Sequence, residues 1–136
     1  MNTAGVTGTA EAGDNFGLTV AVGPITWVGE GAEDIVVGVP GDRVGAVPAA
    51  GAVQVFLGHP TGPSATGDEE RLLSQDTPGM LGAAETGDKF GASLAIVNMG
   101  GSICCAFPLI GAPGETLKGV PHAGAIHVIG NVFGPP

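Results

Sequence analysis

A chain of 136 residues fits one compact domain or two small repeat units. Thirteen acidic residues against four basic ones leave a formal charge of −9, which repels a phosphate backbone and argues against a nucleic-acid partner. The 26 glycines and 11 prolines would suit a disordered chain, but 43% of the residues are hydrophobic and fall in short runs, enough apolar surface to offset chain entropy.

Met1 to Gly13 is small and polar, with neither a basic start nor an apolar core, and does not read as a signal peptide. Leu18 to Val22 alternates, placing Leu18, Val20 and Val22 on one face of a predicted strand. Ile35 to Val39 is almost continuously apolar, and Ala52 to Leu57 is a third run; such strands predict a sheet covered on both faces. Gly41-Asp-Arg-Val-Gly45 does not lead into a helix, so it lacks the setting of a phosphate cradle. Gly58 to Glu69 is rich in Gly, Pro, Ser and Thr and predicts a surface loop. The acids Asp68, Glu69 and Glu70 at its end read as solvated rather than as a cation patch. Glu70 to Ser74 is a more polar run, suited to an outer, half-exposed strand.

Then the chain repeats itself. Gly5, Gly8, Ala10, Glu11, Gly13, Asp14, Phe16 and Gly17 recur 74 residues later as Gly79, Gly82, Ala84, Glu85, Gly87, Asp88, Phe90 and Gly91. Val36 to Gly41 matches Leu109 to Gly114 at an offset of 73, and Ala50 to Val55 matches Ala123 to Val128. The strands repeat with them: Ala92, Leu94 and Ile96 alternate, Pro108 to Ala112 is nearly all apolar, and Ala125 to Ile129 is the third run. Two units result, 1–75 with its outer strand near 70–74, and 76–136 without an outer strand of its own. The adjacent Cys104 and Cys105 would form a strained ring if bridged and read as small apolar residues. No apolar stretch approaches the roughly 20 residues that span a bilayer.

Phe16-Gly17 followed by Gly38-Val39-Pro40, and Phe90-Gly91 followed by Gly111-Ala112-Pro113, resemble the FG-GAP repeat, the blade unit of integrin α-chain propellers. The resemblance implies an all-β fold: two antiparallel blades of the four-stranded type from an integrin-α-like β-propeller, incomplete as a single chain. Gly17 and Gly91 would permit a sharp backbone approach, Phe16 and Phe90 would plug the space between blades, and Pro40 and Pro113, lacking an amide donor, suit strand ends. Gly38, Gly111 and these six are structural rather than catalytic candidates.

In that family a loop between the first two strands often binds calcium through closely spaced acids, because hard cations need about six to eight oxygens. Ending the pattern on Asp34 puts Glu30 on the third acid and Thr26 on the first, while Val28 has no side-chain oxygen. Two of the four acids are thus absent, so the pattern is degenerate and any calcium site at Thr26, Glu30 and Asp34 would be a weak one. The second unit's loop, Met99 to Phe107, contains no acid and predicts none.

His59 precedes Pro60 in the predicted loop, and His127 stands where the first unit has Gln54. No serine sits in a nucleophile-elbow setting, so enzyme chemistry has no support and a non-enzymatic binding or adhesion module is expected. The resemblance implies an extracellular or cell-surface setting and loops at the propeller rim as the contact surface. Alternatives are an accessory portion of a secreted phospholipase-like hydrolase, or a degenerate structural repeat without a ligand. Two blades leave an apolar face at each end, and about 400 Å² per face forfeits on the order of 10 kcal/mol of burial. The expectation is therefore self-association through the exposed blade faces, roughly three or four copies completing a ring, or origin as a fragment of a longer chain; a protein ligand is the other expected partner.

Overall fold

The computed structural model describes residues 4–26, 32–98, 106–130 and 132. Trp27, Glu30, Cys104 and Cys105, with most of the loop from Met99, lie outside the described residues. The described chain is an all-β domain of two antiparallel sheets.

Three strands follow in chain order in the first unit: β1 (Thr19–Gly23), β2 (Asp34–Val39) and β3 (Ala52–His59). They pair as an antiparallel meander, Thr19 opposite Gly38 and Ile35 opposite Phe56. β2 and β3 are covered on both faces, as their unbroken apolar text requires. Proline stops them, Pro24 after β1, Pro40 after β2 and Pro60 after β3.

The region expected to be one surface loop contains more structure. β3 runs on through His59 and turns into a short strand, β4 (Gly62–Ser64), followed by a single 3-10 turn at Gly67–Glu69. β5 (Glu70–Leu73) then pairs with the first half of β3, and β4 with the second half, so the outer position of this sheet is shared by two strands. Glu70 is buried, contrary to its reading as a solvated acid. Its Oε2 accepts from the Thr7 N–H at 3.2 Å and the Thr7 hydroxyl at 2.7 Å, while the Gln54 amide donates to its other oxygen. This network holds the 4–8 segment against the outer strand.

The second sheet consists of β6 (Ser93–Val97), β7 (Phe107–Ala112) and β8 (Ala125–Val128), again a meander. The two units reproduce each other's backbone. Gly17 N–H donates to Gly38 O at 3.0 Å and Gly91 N–H to Gly111 O at 3.1 Å; Gly41 N–H to Asp14 O and Gly114 N–H to Asp88 O are both 3.0 Å. Asn15 and Lys89 share the left-handed conformation (φ 56° and 57°), as do Ala49 and His122 (φ 51° and 54°).

The sheets stack through the second Phe-Gly segment. Gly87, Lys89 and Phe90 donate their N–H groups to the carbonyls of Pro48, Ala49 and Ala50 at 3.2, 3.2 and 2.9 Å, and Phe90 forms a parallel bridge with Gly51. The Thr19 hydroxyl donates to Gly91 O at 2.7 Å. Around this seam lies the core: Val36, Val53 and Val55 from the first sheet meet Phe90, Ile110 and Ala112 from the second. Each large side chain so buried is worth roughly 1.5–3 kcal/mol. Among the described residues no helix is long and apolar enough to cross a membrane.

Candidate functional site

Of the motif residues, Gly38, Phe90 and Gly91 lie at the stacking seam. Pro40 and Pro113 directly follow β2 and β7. Gly38 sits where any Cβ would collide with the Gly91 carbonyl and the Thr19 hydroxyl; at Gly111 the obstacle is the Ser93 hydroxyl. Gly17 and Gly91 take φ of +84° and +90°, which an L side chain adopts only with strain, and Gly91 faces the Ala52 carbonyl. Phe90 is sealed between the sheets, its ring edge-on to His127 at 5.2 Å. Phe16 is half exposed and fills no gap between sheets within this chain.

Of the expected calcium ligands, Thr26 and Asp34 come together and Glu30 lies outside the described residues. Asp34 opens β2 and is fully buried. Its Oδ2 accepts from the N–H groups of Ile25 and Thr26 at 3.1 and 2.9 Å and from the Thr26 hydroxyl at 2.9 Å; its Oδ1 accepts from Gly58 N–H at 2.9 Å. These four donors stabilise the carboxylate and tie the loop's two ends to β3. Among the described residues no three His, Cys, Asp or Glu side chains gather as a metal cluster.

A second polar group, which the sequence reading missed, gathers at the β3–β4 turn. Glu69 faces His59 Nε2 at 3.3 Å, and its other oxygen accepts from the Ser64 hydroxyl. The Ser64 hydrogen bond, helped by His59 and Thr66, holds the Glu69 carboxyl below its ordinary value. The order is wrong for a hydrolytic relay, in which the imidazole must stand between hydroxyl and acid; here the acid stands in the middle. Ser64 donates to the Glu69 carboxylate rather than to an imidazole.

A cleft of about 420 Å³ near the seam is lined by loops of both units, including Glu11, Asp14, Asn15, Arg43, Pro48 and Lys89. Two of the chain's four basic residues therefore converge there. Arg43 Nε lies 3.5 Å from Glu11 Oε2, and its Nη1 donates to Ala46 O at 3.4 Å. The Gly41–Gly45 segment forms part of the wall; it closes a Val44–Val47 hairpin, and the Gly41 N–H is engaged by Asp14 O. No phosphate cradle forms. Burial raises the Asp42 carboxyl above 3.8, the nearby Asp14 charge adds to this, and the Arg43 N–H opposes it. Asp88 is likewise raised, first by burial and then by the Glu115 and Glu85 charges, against the Glu85 N–H. Nothing in the sequence marked this cleft, because its walls come from segments that only stacking brings together.

No protein-family model matches the chain, and no curated protein matches it.

Proposed function

We propose that this chain is a non-catalytic binding module, two FG-GAP-type blades of an integrin-α-like propeller. It offers the loop cleft of Glu11, Arg43 and Lys89 to a protein ligand at or outside the cell surface. The observation that carries this reading is the cleft at the seam: mixed charge on short, hydrogen-bonded turns, supplied by both units at once. Such turns present side chains at fixed positions and lose little entropy on binding. Arg43 and Lys89 favour a ligand with an acidic side chain, while the apolar flank of Leu18 and Pro48 accommodates an adjacent apolar residue.

In this reading Asp34 is a loop staple, its carboxylate held by the chain's own donors, and the loop needs no calcium to close. A melting curve with calcium and with chelator is expected to be unchanged; a rise with calcium would restore the metal loop. The binding reading is tested by selecting displayed peptides on the full chain. Enrichment of acidic peptides is expected, with affinity about tenfold weaker (~1.4 kcal/mol) for Arg43→Ala and for Lys89→Asn. Peptides that bind both variants as well as the unaltered chain would overturn it.

A further inference from the structure

We infer that this chain associates head to tail with further copies of itself, the first unit's Phe16 face of one copy entering the second unit's β6–β8 face of the next. The inference rests on the stacked-blade reading above and on the seam, which shows what each face does when it has a neighbour.

On the first unit, the residues matching those that Phe90, Leu94 and Ile96 bring to the seam are Phe16, Val20 and Val22. Phe90 is 0% exposed, whereas Phe16, Val20 and Val22 are 46, 57 and 52% exposed. On the second unit, the counterparts of Val53 and Val55 are Ile126 and Val128. The valines are 0 and 1% exposed, whereas Ile126 and Val128 are 71 and 52% exposed. Each half of the seam thus recurs on the opposite side of the molecule without its mate.

The polar groups recur with them. At the seam the Thr19 hydroxyl donates to Gly91 O; Ser93 carries the equivalent hydroxyl and Gly17 the equivalent carbonyl. The N–H groups of Gly87, Lys89 and Phe90 meet the carbonyls of Pro48, Ala49 and Ala50. Their counterparts, Gly13, Asn15 and Phe16 on one side and Pro121, His122 and Ala123 on the other, make none of these backbone bonds among the described residues. The socket is open as a cleft of about 490 Å³, walled by small residues such as Ser93, Gly111, Ala123 and Gly124 with Ile126 at its edge. Small residues and a missing Cβ leave room there for an aromatic knob and a close backbone, as Gly38 and Gly51 do at the seam.

Both sides of this contact are different surfaces, so it is heterologous, and repetition either closes a ring or continues as a filament. A ring of about four to eight blades would take roughly two to four copies.

Sedimentation velocity and light scattering on the full chain test the inference. The unaltered chain is expected to grow in mass with concentration. Phe16→Asp and Ile126→Asp are each expected to give a folded single chain, with unchanged β-sheet circular dichroism. Mixed in equal amounts the two variants are expected to form a dimer and nothing larger, since each keeps the face that the other lacks. An unaltered chain that stays single at high concentration, or variants that assemble as well as it does, would overturn the contact. Phe90→Ala separates the two levels: if it leaves stability unchanged, the stacked-blade reading falls as well, whereas a single chain with a strong Phe90 dependence removes the head-to-tail contact alone.

Discussion

The first unit carries two outer strands, a stapled loop and a covered third strand, while the second repeats its turns almost atom for atom on a sheet of three strands. Asp34, with four donors on its carboxylate, is replaced in the second unit by Phe107, and Gln54, tied to Glu70 and Thr7, is replaced by His127, which meets the Phe90 ring instead. The turns are alike because each is closed by its own residues. The positions that differ are those whose neighbours differ. Side chains have diverged where one unit has a partner segment and the other has another, and the backbone has been held where the fold needs a sharp reversal.

This contrast makes substitutions at matched positions informative. The largest difference is expected between Phe90→Ala, costing about 3–5 kcal/mol from a sealed aromatic site, and Phe16→Ala, costing under about 1 kcal/mol in a single chain. Urea denaturation at low protein concentration measures both. Next, Asp34→Ala strands the N–H groups of Ile25, Thr26 and Gly58 and is expected to cost about 3 kcal/mol, with Asp34→Asn recovering part of it. Equal stability of all three proteins would show that the staple carries no load.

Gly38→Ala drives a methyl group into the Gly91 carbonyl and is expected to cost roughly 2–3 kcal/mol, against about 1 kcal/mol for Gly111→Ala, where only the movable Ser93 hydroxyl stands in the way. The same denaturation series ranks them. Smaller still, Lys89→Gly relieves a left-handed non-glycine residue and is expected to gain up to about 1 kcal/mol, more than Asn15→Gly, because asparagine tolerates that conformation better.

The smallest effect is with pH. The Asp42 and Asp88 carboxyls are raised above 3.8, so the folded chain holds these protons more tightly than the unfolded chain does. Their contribution to stability grows as pH falls through the range just above 3.8 and is lost as pH rises back through it. Glu69, held below 4.5, acts the other way and loses its contribution as pH falls below that value. Replacing Asp42 and Asp88 together by Asn removes this offset and is expected to steepen the loss of stability on acidification in the range just above 3.8. Thermal melts across that range would show it.

By itself the sequence determined the strands, their alternation and the repeat. Short apolar runs ended by proline, and glycines spaced identically in both halves, specify local φ and local hydrogen bonds that need no distant partner. Thus β1, β2, β3, β5, β6, β7 and β8 fall on the expected runs, while β4 hid among turn residues, its pairing set by β3 rather than by its own text. Tertiary structure alone decided which face of each sheet is covered, that Glu70 is buried, that Asp34 receives four donors, and that Glu11, Arg43 and Lys89 share one cleft. Burial and charge pairing are properties of neighbours far away along the chain. Two identical Phe-Gly motifs therefore end in opposite environments.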